Sequence, residues 1–411
     1  MKLAIVDSWF HWPPVGGAIR SVKEIADRLS GRGMDVTIVA PAQEIKEGEN
    51  FRFRIEGLKI RKMSGPVFYS AIRRALKTIG PDVVFVTTGN LLKPYMIEAA
   101  SGYPTLVRLY AYELRCPASF GILFRDGRVC DYSILRQPLR CATCPEDIRR
   151  MVHNTSIVDR PESFQSLKLI YPFYHALVKR TVPKISAAIA TSNYMKRKFE
   201  GVIPLDRIEV LADGVDSKFF SPTGESSRNK VKIITFPGRT FDPLKGMDVL
   251  LRALIALWAK RQDFRLVVTG SGRPDIGRYP FIVSDDWLSD KDIPGMYGRS
   301  NIVVVPSIWG EPLGLTALEA MSCEVPVVVS RVGGLQETVK DGENGLLFEP
   351  GNHLELAQKI ETLLDDDELA RRMGREGRKH VIANYSWDDI IDRYEAILDR
   401  VWEAGDRGRG G

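Results

Sequence analysis

One pattern constrains this chain more than any other, and it occurs twice. Short apolar runs of strand length alternate with amphipathic helical stretches up to about residue 190, and the alternation starts afresh at Val231. The first series is Leu3–Val6, Val36–Ala40, Asp82–Val86, Thr105–Leu109 and Ala187–Ala190. The second is Lys232–Phe236, Phe264–Thr269, Ile302–Val305 and Val325–Val329. Ile19, Val22, Ile25, Ala26 and Leu29 mark one face of a helix from about Gly17 to Leu29. Apolar strands interleaved with helices pack as parallel sheets covered on both faces. The expected class is α/β, with two doubly wound, Rossmann-like domains. The limits read as 1–205 and 206–385, joined through the polar segment 222–230. A further helix, N-capped by Ser386 and running to about Trp402, is expected to cross back and complete the first domain. Residues 405–411 read as a disordered tail. The segment of about 114–163 breaks the rhythm and reads as an insertion, and a helix is expected over about 164–181.

Composition narrows the class little. The 411 residues carry a formal net charge of +6, which names no partner. Its distribution says more: residues 1–200 hold 31 Lys+Arg against 18 Asp+Glu, and residues 201–411 hold 27 against 34. A basic half is thus joined to an acidic half. No apolar run reaches the ~18–20 residues of a membrane-spanning helix, and the opening MKLAIVDSW has strand spacing rather than the build of a leader. A cytoplasmic protein is expected.

In open parallel sheets, ligands bind beyond the carboxyl ends of the strands. Gly16-Gly17 follows the first strand and opens a helix, where backbone N–H groups suit an anion; a plain turn accounts for the pair equally well. Gly238-Arg239 and Lys245-Gly246 follow the first strand of the second domain, placing a guanidinium and an ammonium beside a helix start, a set that fits a diphosphate or a merely solvated surface. The richest stretch is Pro306–Val329, where Glu311 lies in a loop, Gly314-Leu315-Thr316 opens a helix and Glu319 lies on that helix. Carboxylates accept hydrogen bonds from vicinal hydroxyls. The apolar neighbours Leu313, Leu315, Leu318 and Met321 argue against a solvated face.

This stretch, with its E-x7-E spacing from Glu311 to Glu319, resembles family 4 of the retaining glycosyltransferases, the group 1 type with the GT-B fold. The resemblance extends to Gly16-Gly17, DGVDSKFF at 213–220, GRTFDPLKG at 238–246, TGSG at 269–272 and VGGLQETVKDGENGLLFEPG at 332–351. It implies two domains facing a cleft, a nucleotide-diphosphate sugar (GDP- or UDP-linked) held mainly by the second, and an acceptor held mainly by the first. Arg239, Lys245 and the N–H groups of Leu315 and Thr316 would hold the diphosphate, beside Gly238 and Gly314. Glu319 would take the ribose, Glu311 the donor sugar, and Gly17 would approach the phosphate. Glu311, Arg239 and Lys245 are the implied catalytic set, acting by front-face substitution with no cofactor required. Tyr110 stands where the family often has a His near the donor sugar, which makes it a candidate sugar contact. Glu324 stands where a small residue is common. Asp365-x-Asp367 resembles a metal-binding pair but is expected to cap a helix.

Cys116, Cys130, Cys141 and Cys144 cluster in the insertion. One C-x2-C pair suits a structural zinc or iron–sulfur site, with disulfides or buried thiols as the alternative. Arg52, Arg54, Lys59, Arg61, Lys62, Arg73, Arg74 and Lys77 form a dense basic stretch. An anionic membrane surface is its expected partner, which suits a peripheral enzyme using a glycan or lipid-linked acceptor. No nucleic-acid motif accompanies it. The rival functions are a sugar-nucleotide epimerase or hydrolase of the same fold, and a non-catalytic basic binding protein.

Overall fold

The computed structural model describes residues 1–12, 16–41, 51–60, 64–116, 130–141, 173–223, 231–269, 274–285 and 288–407. The first domain holds strands β1 (Lys2–Val6), β2 (Asp35–Pro41), β3 (Arg54–Leu58), β4 (Val83–Val86), β5 (Thr105–Leu109), β6 (Ala187–Ala190) and β7 (Ile208–Val210). They form one sheet in the order β3-β2-β1-β4-β5-β6-β7. All its pairings are parallel, with Leu3 opposite both Val36 and Val83. The second domain holds β8 (Lys232–Phe236), β9 (Phe264–Thr269), β10 (Ile282–Asp285), β11 (Ile302–Val305), β12 (Val327–Ser330) and β13 (Leu346–Phe348). Their order is β10-β9-β8-β11-β12-β13, again parallel. The strand order reverses between β1 and β4 in one sheet and between β8 and β11 in the other, and crevices for ligands open at such points.

Each sheet has an apolar core on both faces. One face of the first sheet is covered by the chain's last helix, Trp387–Arg407. Its buried residues Trp387, Ile390, Ile391, Tyr394, Ile397, Leu398 and Val401 keep helical spacing and share a cluster with Leu3, Ile5, Ile38 and Phe85. The chain therefore crosses between the domains twice. The two crossings are tied together where the Val215 N–H donates to the Tyr385 carbonyl at 2.9 Å.

Several expectations need correction. The first sheet does not end at residue 205, because β7 pairs with β6 through Ile189 and Glu209. The polar edge strand β3 escapes a search for apolar runs: only Leu58 of its RIEGL sequence is buried. The final helix passes Trp402 and reaches Arg407, with Gly405 packed too closely on Pro104 to admit a side chain, so no loose tail begins at 405. Asp366, not Asp365 or Asp367, caps the Asp367–Asn384 helix, accepting from the Leu369 N–H at 2.8 Å. Its two neighbours pair with Arg261 and Lys232.

Much of the insertion, including Cys144, lies outside the described residues, as does the start of the 164–181 helix. The described part of that helix, 173–181, buries Tyr174 and Val178 and exposes Phe173. Cys116 and Cys141 pack against the core of the first sheet, and Cys130 is half-buried. Among the described residues, no three His, Cys, Asp or Glu side chains converge as a metal site.

Candidate functional site between the two domains

A cavity of about 420 Å³ opens between the carboxyl ends of the two sheets. It brings together residues spread over 300 positions. Gly16, Gly17 and Tyr110 come from the first domain; Gly238, Arg239, Lys245, Glu311, Gly314, Leu315, Thr316 and Glu319 come from the second. The cysteines are not among the lining residues.

The second-domain wall is built from two loops. After β8, Asp242 accepts from the Leu244 N–H at 3.1 Å and pairs with Arg239 at 2.9 Å, shaping the short turn that ends in Lys245. After β11, the loop 306–314 carries Glu311. Its Oε1 receives Lys245 Nζ at 2.7 Å, Ser307 Oγ at 2.7 Å and Trp309 Nε1 at 3.0 Å. Burial opposes ionisation of Glu311. The Lys245 ammonium and these hydrogen bonds outweigh it and hold the carboxyl below its ordinary value. Lys245 also lies over the Trp309 ring.

Gly314, in the left-handed region at φ 96°, turns the chain into the Leu315–Ser322 helix. Leu315 and Thr316 are its first residues, so their N–H groups have no carbonyl one turn earlier to pair with and suit an anion. Glu319, on the same helix, is 6% exposed. Tyr297 donates to its Oε2 at 3.1 Å, and Arg20 of the first domain donates to its Oε1 at 2.6 Å.

The first-domain wall is of another kind. A Cβ on Gly17 would lie 2.9 Å from Leu315 Cδ1 across the cavity, so the two domains approach closely there and a side chain would have to displace the Leu315 methyl. Tyr110 follows β5. Its buried hydroxyl has no hydrogen-bond partner among the described residues, and burial raises its pKa well above the usual value. Behind it, Arg108 Nη2 donates to Asp213 at 2.8 Å and Nη1 to the Leu211 carbonyl at 2.7 Å. Burial pushes the Asp213 carboxyl up, and Arg108 offsets part of that.

Sequence reasoning missed Arg20, Ser307, Trp309 and Tyr297. Ser307 and Trp309 fall within the stretch already singled out. Arg20 stands in the first turn of the helix opened by Gly17, which was a readable signal. Tyr297 had none, being 22 positions from Glu319 in an unremarkable helix.

A model of glycosyl transferases group 1 matches residues 231–366, and a model of glycosyltransferase family 4 matches residues 15–113. The chain belongs to this family, and its two facing sheets are the GT-B fold. Among curated relatives, a D-inositol 3-phosphate glycosyltransferase of Corynebacterium glutamicum is 34% identical over 44% of this chain and 49% of its own length. The chain thus spans about half of that relative. An uncharacterised glycosyltransferase of Methanocaldococcus jannaschii is 24% identical over 95% of this chain and 96% of its own. Among solved structures, sucrose-phosphate synthase from Thermosynechococcus elongatus superposes with a TM-score of 0.73 at 20% identity, covering 98% of this chain and 99% of that one. Anabaena HepE in complex with UDP-glucose gives 0.69 at 18%, covering 97% and 100%.

Proposed function

We propose that the protein is a retaining glycosyltransferase that moves a hexose-type sugar from a nucleotide-diphosphate sugar to an acceptor hydroxyl. The observation that carries this reading is the Lys245–Glu311 pair at 2.7 Å beside Arg239 and a helix N-terminus, in a cavity that also holds the buried Glu319. Breaking the anomeric bond puts negative charge on the departing diphosphate and positive charge on the sugar ring. Arg239, Lys245 and the first turn at Leu315 and Thr316 meet the first charge without reorganising. Glu311 faces the sugar, and Glu319 accepts from the ribose hydroxyls. The orphaned Tyr110 hydroxyl supplies a donor or acceptor to a sugar hydroxyl. In front-face substitution the leaving phosphate takes the acceptor's proton, so no side-chain nucleophile is needed.

The donor is UDP- or GDP-linked, and the UDP-glucose bound by HepE favours testing the first. The acceptor is a glycan or a lipid-linked sugar. Exposed Arg73, Arg74 and Lys77, with the exposed Val67 on the same helix Gly65–Ile79, fit the anionic inner face of a membrane at ~1 kcal/mol per cation. No helix among the described residues is long and apolar enough to cross a membrane.

A thermal-shift screen across UDP- and GDP-sugars tests the donor, and the anomeric configuration of the product tests retention. Product with inverted configuration, or epimerised donor, overturns the reading. Activity that survives a chelator supports metal independence, and flotation that ignores anionic lipid removes the membrane.

A further inference from the structure

The loop that carries Glu311 is held from two sides. From behind, within its own domain, the Gly334 N–H donates to the Glu311 carbonyl at 2.6 Å, and the Ile308 N–H donates to the Leu244 carbonyl at 3.0 Å. From the front it is held by the other domain. Tyr112 OH donates to the Gly310 carbonyl at 2.7 Å. Thr191 Oγ1 and Ser192 Oγ donate to the Pro312 carbonyl at 3.0 and 2.6 Å. The Tyr112 ring also packs on Trp309, 6.1 Å between centroids, and Trp309 in turn donates to the Glu311 carboxylate. Gly310 is the residue that allows this, since a side chain there would collide with the hydroxyls of Tyr112 and Tyr194.

We propose that Tyr112, Thr191 and Ser192 are positioning residues that seat the Glu311 loop, so that closing the first domain onto the second completes the site. Their hydrogen bonds go to the carbonyls of Gly310 and Pro312, and so fix the peptide plane just before Glu311 and the one just after Pro312, which bracket the point where the carboxylate leaves the backbone. All three cross the domain boundary, and an opened molecule loses them together. Glu337 makes the reverse contact, accepting from the Asn193 N–H at 2.8 Å at the start of the helix that Ser192 caps. Misplacing a reacting group by about 1 Å costs on the order of a hundredfold in rate, so a donor that binds the open form waits for this loop. The inference rests on the proposed donor reading for its catalytic meaning, but not for the seating itself.

The test is amide hydrogen exchange on the full chain, read at Ile308 and Gly334. In the ligand-free protein, Tyr112→Phe and, separately, Thr191→Val raise exchange there at least fivefold, with the second-domain strands at wild-type rates. Wild-type rates at both amides overturn the proposal. So does loss of protection throughout both domains in both variants, because the role is then general stability. UDP-glucose and GDP-mannose, each compared with its bare nucleotide, form the second arm. In the wild type one sugar nucleotide slows exchange over 307–314 beyond its nucleotide. Tyr112→Phe loses that increment at least fivefold while protection at Glu319 by the nucleotide persists. An increment that Tyr112→Phe leaves intact overturns the positioning role. If no nucleotide or sugar nucleotide alters wild-type exchange, the donor reading fails, and the ligand-free arm still decides the seating.

Discussion

The two walls of the cavity do different work. On the second-domain wall, charged groups from two short stretches, 238–246 and 307–319, are arranged by bonds made within that domain: Arg239 to Asp242, Lys245 to Glu311, Tyr297 to Glu319. The first-domain wall contributes two glycines, Tyr110, the Thr191 hydroxyl and a single cation, Arg20, which crosses to Glu319 at 2.6 Å. Its buried charges, Arg108 with Asp213 and Lys93 with Glu113, are paired with one another inside the domain. Apart from Arg20, the basic excess of the first half does not line the cavity; Arg54, Arg73, Arg74 and Lys77 face solvent. On the proposed reading, the second wall supplies most of the charge for a leaving group, and the first supplies shape and one cation.

The largest effect that tests this contrast lies in the first domain. Arg108→Met leaves the buried Asp213 charge without its partner and lowers unfolding stability by about 3–5 kcal/mol, read from denaturant midpoints, while nucleotide affinity below the transition changes far less. A loss of affinity without a loss of stability would break the contrast. In the second domain the order reverses. Lys245→Ala lowers transfer about a hundredfold or more, whereas stability falls by about 1–2 kcal/mol.

Acid separates the walls further. The Glu311 carboxyl titrates below its ordinary value of 4.5, so its contribution is complete above about that pH and is lost as pH falls through the lower folded value. The stability gap between wild type and Glu311→Gln is thus flat from about pH 5 to pH 8 and shrinks below about pH 4. The smallest effect sharpens the contrast by leaving both walls alone. Glu324 holds φ 60°, a left-handed backbone that favours glycine; Glu324→Gly relieves about 1 kcal/mol and raises the melting temperature without changing transfer.

The central strands were legible because they are apolar throughout: β5, β6, β8, β9 and β11 fall where expected. The edges were not. β3 is polar, and β7 and β13 have three residues each, too few to show a strand period of their own. In the site, Glu311, Glu319 and Lys245 could be read because loop, turn and helix start are local features. Arg20 meets Glu319 from 299 positions away and Tyr112 meets Gly310 from 198, pairings that only the packing of two domains creates. The cap at Asp366 was misplaced by one residue because three consecutive aspartates offer the same chemistry, and only backbone geometry chooses among them.

The placement of the last helix has a consequence for synthesis on the ribosome. Residues 232–385 form an unbroken stretch that holds all six strands of the second sheet. The first sheet, although translated earlier, has one apolar face covered only in part, by the Gly17–Gly31 helix, until Trp387–Val401 emerge well after its own last strand. The part of the molecule that is made first is the last to be finished. Throughout that interval it exposes the surface that a chaperone binds or that aggregation exploits.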